Sequence, residues 1–199
     1  MGAWGPGLYS DDVTEDVRGI YVDKLHRGKN GEQASKEMIA EFEWACSDED
    51  DAPVFWFAMA DMQWNYGRLQ EEVKKKALYY LDDMKNLQRW EHENPKMAEK
   101  RKQVLNELRK KLNTLQPSEK KVSQYRLYHC QWKVGDMYAY QLEGEYAKER
   151  GLNGKYLLFY KIAESIWWPG HVIPVVYIKL TENNEIPKTR EELEKLEYI

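Results

Sequence analysis

The chain predicts an α+β protein: an N-terminal bundle of about five helices leading into a small, mostly antiparallel C-terminal β-sheet with a terminal helix. Two observations predict it. From Val13 to Leu115 apolar residues recur at three- and four-residue spacing, the period of a helix buried on one face. From Trp132 to Leu180 the runs WKVGDMYAYQL, GKYLLFYKI and VIPVVYIKL, rich in tyrosine, tryptophan and branched aliphatics, are separated by Gly- and Pro-bearing turns, the pattern of short strands. The expected organisation is a helical domain over 1–116, a linker over 117–121 and a β-rich domain over 122–199.

The opening GAWGPGLYSDD offers Ser10, Asp11 and Asp12 as helix caps before Val13, Val17, Ile20, Tyr21 and Leu25 at helical spacing. That helix should end near Gly28. Ala34, Met38, Phe42 and Ala45 share one face of a second helix, closed by the run SDEDD. Pro53 suits the first turn of a third, whose residues Val54 to Ala60 are apolar all round, so this helix is expected to be central and buried. Gly67 is its expected stop. Leu69, Val73, Ala77, Leu81 and Met84 mark a fourth helix, and Met97, Arg101, Val104, Leu108, Leu112 and Leu115, along a near-heptad stripe, a fifth that starts from Asn94 and Pro95. Two or so heptads suit a bundle helix better than a coiled coil.

In the second half, strand residues are expected from Val134, with Gly135-Asp136 as a tight bend, and again over Tyr156 to Ile162. Trp167-Trp168-Pro169-Gly170 reads as a turn. Pro174 places the following run at an edge or a bulge, because proline cannot donate to a strand ladder. Thr189 and Glu192 fit a capping box for the last helix. The chain stops on Glu197-Tyr198-Ile199, where a further strand could begin, which would leave the sheet with an open edge.

Composition bounds the class. Of 199 residues, 42% are apolar and 13% aromatic, with eight tryptophans, which excludes a disordered chain. Two cysteines, Cys46 and Cys130, are too few for a disulfide framework and fit a reducing compartment. The most apolar window, Val54 to Met62, is far short of the roughly 20 residues needed to span a bilayer. A cytoplasmic protein with no membrane association is the expectation. Charge is uneven: residues 1–51 hold 13 acids against 5 bases, and residues 96–121 hold 9 bases against 3 acids.

No catalytic motif, cofactor motif or metal-ligand spacing is present. His26, His92, His129 and His171 stand in no recognised frame, and the segment Trp90 to Glu93 lacks the second histidine of a zinc-protease helix. A composite metal site from His129, Cys130 and His171 needs tertiary folding to assemble it. The acids Asp11, Asp12, Glu15 and Asp16 are accounted for by a helix start, where carboxylates complement the dipole.

Two motifs suggest relationships. Gly2-Ala3-Trp4-Gly5, then Gly7, Leu8, Tyr9, Ser10, Asp11, Asp12 and Asp16, resembles the GxWGxGxFxxD opening of a bacterial domain-of-unknown-function family, over about 25 residues. Trp132, Lys133, Val134, Gly135, Asp136, Tyr138 and Ala139, then Gly154, Lys155 and Tyr156, look like the WKxGDxFA opening and following strand of the immunity protein 26 group. That second resemblance implies a bacterial protein that neutralises a toxin by binding it, and neither family supplies catalytic residues.

The resulting expectation is a protein-binding module rather than an enzyme, with Tyr138, Tyr140, Tyr156, Tyr160, Trp167 and Trp168 as binding residues and an unidentified protein as partner. Large rigid rings bury area at low entropic cost. The alternative is that these rings form the sheet's own core. A nucleic-acid-associated protein is the second reading, resting on Lys96, Lys100, Arg101, Lys102, Arg109, Lys110 and Lys111 in the basic helix over 96–111. A metal-dependent hydrolase using His129, His171 and the acids is the third.

Overall fold

The structure is a computed structural model and describes residues 3–199. Gly2 of the opening motif lies outside the described residues. The fold is α+β, as the periodicities predict, and the chain divides between Tyr125 and Arg126 into a helical unit and a sheet unit.

The helical unit holds seven helices among the described residues. In α1 (Asp12–His26) the Asp11 carboxylate accepts the Val13 N–H at 2.9 Å, and the helix stops at Gly28 as expected. α2 (Gly31–Glu41) starts from a capping box of Asn30 and Gln33. The expected single helix through Ala45 is interrupted at Phe42, and α3 (Glu43–Cys46) follows as one short turn. α4 (Asp51–Asn65) is the centre: every residue from Ala52 to Gln63 is buried, and α1, α3, α5 and α7 pack around it. Its end is a Schellman motif, with Gly67 N–H donating to the Trp64 carbonyl at 2.9 Å and Arg68 N–H to that of Gln63 at 2.8 Å. Gly67 takes φ +65, and a Cβ there would lie 2.6 Å from the Ser118 carbonyl oxygen, so both conformation and space require glycine.

α5 (Glu71–Asp83) runs to Met84, which adopts the left-handed conformation at φ 57 and redirects the chain into α6 (Lys85–Glu93). The periodicity did not predict α6, which buries Asn86 and Leu87 and half-buries Trp90. α7 (Pro95–Leu112) opens on its proline and buries Ala98, Arg101, Leu105, Leu108 and Leu112.

The segment 117–121 is packed, not a free linker. Lys120 N–H donates to the Tyr66 carbonyl at 3.0 Å, Arg68 pairs with Glu119 at 2.9 Å, and Val122 packs on the helical core. Tyr125 N–H donates to the His26 carbonyl at 2.8 Å, so the boundary falls several residues later than the composition implies.

The sheet unit is an antiparallel meander in the order β1 (Met137–Gln141), β2 (Tyr156–Trp167), β3 (His171–Leu180). Val134 is not part of it: Lys133–Asp136 form the turn before β1, with Asp136 N–H donating to the Lys133 carbonyl at 3.1 Å. The polar connection holds α8 (Glu145–Glu149), and α9 (Arg190–Lys195) starts from the expected capping box of Thr189 and Glu192. β3 is an edge strand, which accommodates Pro174. Its outer edge is partly occupied: Tyr128 bridges His171, Tyr198 bridges Lys179, and Ile199 N–H donates to the Ile178 carbonyl at 3.1 Å. The unpaired edge among the described residues is that of β1, not the one at the chain's end.

Candidate functional site

Strand pairing sorts the sheet residues into two faces, because directly paired residues lie on the same side. Met137, Tyr160 and Tyr177 form one row, and Ala139, Leu158 and Lys179 the next row of the same face. Tyr138, Phe159 and Ile178 form a row of the opposite face. A bulge at Ile162 between Lys161 and Ala163 shifts the alternation of β2 by one residue. Beyond it Ala163, Ser165 and Trp167, paired with Val175, Ile173 and His171, join the face of Tyr160.

The six expected binding residues therefore do not form one surface. Tyr156, Tyr160 and Trp167 share one face, whereas Tyr138 and Tyr140 lie on the other, 53% and 64% exposed. Tyr138 meets the Trp132 ring edge-on at 4.3 Å. Trp168 is half-buried in the β2–β3 turn, before a cis peptide bond to Pro169. Tyr156, Tyr160 and Trp168 are half-buried, while Trp167 is 70% exposed.

Trp167 instead continues into residues that were not singled out in the sequence. Ile173, Val175 and Tyr177 stand on the same face of the hairpin and are exposed, and Tyr198 packs edge-on against Tyr177 at 5.2 Å. At its proximal end this strip reaches a cleft of about 460 Å³ beneath α9, lined by Met137, Leu158, Tyr160, Tyr177, Leu193 and Tyr198. Lys179 holds the cleft's roof. The ammonium of buried Lys179 donates to the carbonyls of Leu193 (2.9 Å), Glu194 (3.2 Å) and Leu196 (2.8 Å) at the C-terminal end of α9, and lies 4.1 Å from the Tyr198 ring centre.

On the opposite face Lys161 is fully buried. Its ammonium donates to Glu164 Oε1 at 2.6 Å and to the Trp132 carbonyl, and lies 3.4 Å from Cys130 Sγ. The hydrogen bond from Lys161 is the main cause holding the Glu164 carboxyl below its usual range, and the same bond holds Lys161 above the usual lysine range. His129 Nδ1 lies 3.7 Å from Glu164 Oε2, but His171 stacks on Tyr128. Among the described residues no three His, Cys, Asp or Glu side chains are grouped to hold a metal ion.

Three of the seven basic residues of this helix, Arg101, Arg109 and Lys111, have partners within the helical unit. Arg101 is 3% exposed, donating to Asn86 Oδ1 at 3.1 Å and to the Gly7 carbonyl at 3.0 Å, and burial lowers its pKa to about 10. Arg109 pairs with Asp82 at 2.5 Å. Lys111 pairs with Asp61 at 2.6 Å, donates to Asn65 at 2.7 Å and covers the Trp64 ring. Lys96, Lys100, Lys102 and Lys110 remain exposed.

The opening motif is fastened to the same groups. Trp4 N–H donates to the Ser10 carbonyl at 3.0 Å, closing a small loop in which a Cβ on Gly7 would lie 2.8 Å from Ser10 Oγ. Tyr9 donates to the buried Asp61 carboxylate at 2.7 Å, and burial, then that carboxylate, raises its pKa far above the usual phenol range. The motif thus joins α4 through Asp61 and α7 through Arg101, a packing role.

No family of proteins, no curated protein and no solved structure matches the chain.

Proposed function

We propose that the protein is a binding module which holds another protein stoichiometrically through the exposed face of the β2–β3 hairpin, without chemistry of its own. The observation that carries this reading is the strip Trp167, Ile173, Val175 and Tyr177, four exposed apolar side chains on one face of one hairpin. Interface centres are enriched in such aromatic and aliphatic anchors and poor in charge. The cations Lys188 and Arg190 line the cleft at one end of the strip, so the partner is read as a protein with an apolar patch bordered by carboxylates. The resemblance to immunity proteins agrees with a stoichiometric binder. Two free cysteines, and the absence among the described residues of a helix long and apolar enough to cross a membrane, agree with a cytoplasmic protein. The nucleic-acid reading is the weaker one, since Arg101 is buried and Arg109 and Lys111 are paired with the carboxylates of Asp82 and Asp61.

A photoreactive phenylalanine analogue placed at Trp167 in the full-length chain, with a second at exposed Glu149 as control, tests the proposal in the host cell. The expected result is one protein adduct specific to position 167, lost with Ile173→Asp, whose purified partner forms a 1:1 complex with the wild-type chain. Identical adducts at both positions, or a complex indifferent to Ile173→Asp, would refute it.

A further inference from the structure

We propose that the cleft beneath α9 is a second, self-contained ligand site, one that takes a small amphipathic anion: an aromatic or branched apolar body bearing a single carboxylate. The site adjoins the hairpin strip, with which it shares Tyr177, but it needs no protein partner. Its volume, about 460 Å³, lies in the range of roughly 300–1,000 Å³ typical of small-molecule pockets. Its walls are apolar or aromatic: Met137 and Leu158 from the sheet, Leu193 from α9, and the rings of Tyr160, Tyr177 and Tyr198.

The polar groups select the charge. Three cations, Lys179, Lys188 and Arg190, line the cleft against one carboxylate, Glu194, which is already paired with Arg190 at 2.7 Å. Lys179 spends its donors on the carbonyls of Leu193, Glu194 and Leu196, so its charge is hydrogen-bonded but has no counter-anion. The Lys188 ammonium and the hydroxyls of Tyr160 and Tyr177 have no hydrogen-bond partner among the described residues. A ligand carboxylate at the mouth would receive donors from Lys188 and a phenol, and would also sit in the uncompensated field of Lys179. A cation of the same shape meets two like charges, and an uncharged ligand leaves Lys188 as it was. The ring-lined interior accepts the apolar body by edge-to-face contact.

Indole-3-acetate and tryptamine carry the same ring with opposite charge, and the amide spectrum of the full-length chain reads both. Indole-3-acetate should bind saturably, shifting the amides of Leu158, Tyr160 and Leu193, and at least about tenfold more tightly than tryptamine. Lys188→Glu, a surface change that leaves the fold intact, should weaken it by about tenfold, and Leu193→Trp should abolish it by filling the cleft. Trp167→Ser should leave it unchanged, which separates this site from the hairpin strip. Equal binding of the two probes, binding insensitive to Lys188→Glu, or no saturable binding at millimolar probe would overturn the proposal, whatever the crosslinking at Trp167 shows.

Discussion

Lys179→Met isolates the interaction that roofs the cleft. Methionine keeps the unbranched stem and removes the ammonium, so three hydrogen bonds to the end of α9 and the contact with the Tyr198 ring are lost together. Hydrogen bonds to a charged group contribute about 1.5–3 kcal/mol each, which would sum to between 5 and 9 kcal/mol or so. Two effects reduce that sum. Lys179 as a whole is only 6% exposed, so the wild type bears a desolvation cost that methionine does not. No residue of α9 is buried, so its freed carbonyls regain water. The net expected loss is about 2–4 kcal/mol, confined to α9 and the residues after it. Hydrogen exchange with mass detection reads this directly, with β2 peptides as the internal control. Protection over 190–199 should fall by a factor of about thirty or more while β2 keeps its own. Unchanged exchange in α9 would mean that the lysine does not hold the helix and that the cleft has another cause.

The other predictions follow from single groups. Burial pushes the Cys46 thiol up to about 11, so at pH 8 only about one molecule in a thousand carries its thiolate; a thiol reagent should titrate exposed Cys130 at once and half-buried Cys46 far more slowly, with the lag removed by unfolding. Tyr21 is fully buried, its hydroxyl has no hydrogen-bond partner among the described residues, and burial raises its pKa to about 12; Tyr21→Phe should stabilise the chain by about 1–2 kcal/mol in urea unfolding. The Glu164 carboxyl, depressed by Lys161, contributes stability that is present above its unfolded pKa and lost as pH falls through its folded value. The raised Lys161 contributes below its own unfolded pKa and loses that contribution as pH rises through its folded value. The gap in unfolding midpoint between wild type and Glu164→Gln should therefore stay level from about pH 5 to 10 and close towards more acid solution.

The elements legible in the sequence were those whose signals are local. The all-round apolar run of α4, its Gly67 stop and the Thr189–Glu192 capping box depend on residues at most a few positions apart. What was missed depends on distant partners or on a single unusual dihedral. α6 follows a methionine, rather than a glycine, in the left-handed region, and its own burial rests mainly on Leu87. Residues 117–121 carry the composition of a linker, yet their backbone packs where Gly67 has no side chain, a contact some fifty positions away in the chain. The candidate surface was half legible. Alternation implies that only part of the aromatic set can share a face, and Tyr160 and Tyr138 do separate. The bulge at Ile162 then moves Trp167 onto the face of Tyr160, and no count of residues along β2 announces that shift. Tyr177, Ile173 and Val175 were passed over because their run reads equally well as buried strand.

The outward face of the β2–β3 hairpin is the proposed meeting place of this protein and its partner. Hydrogen exchange on the full-length chain, free and in the complex recovered through position 167, tests it most directly. Slowed exchange should be confined to 163–177, with the amides of α7 unchanged. Slowing over 96–111, with the hairpin left as it is in the free chain, would contradict this and favour the basic helix as the binding element.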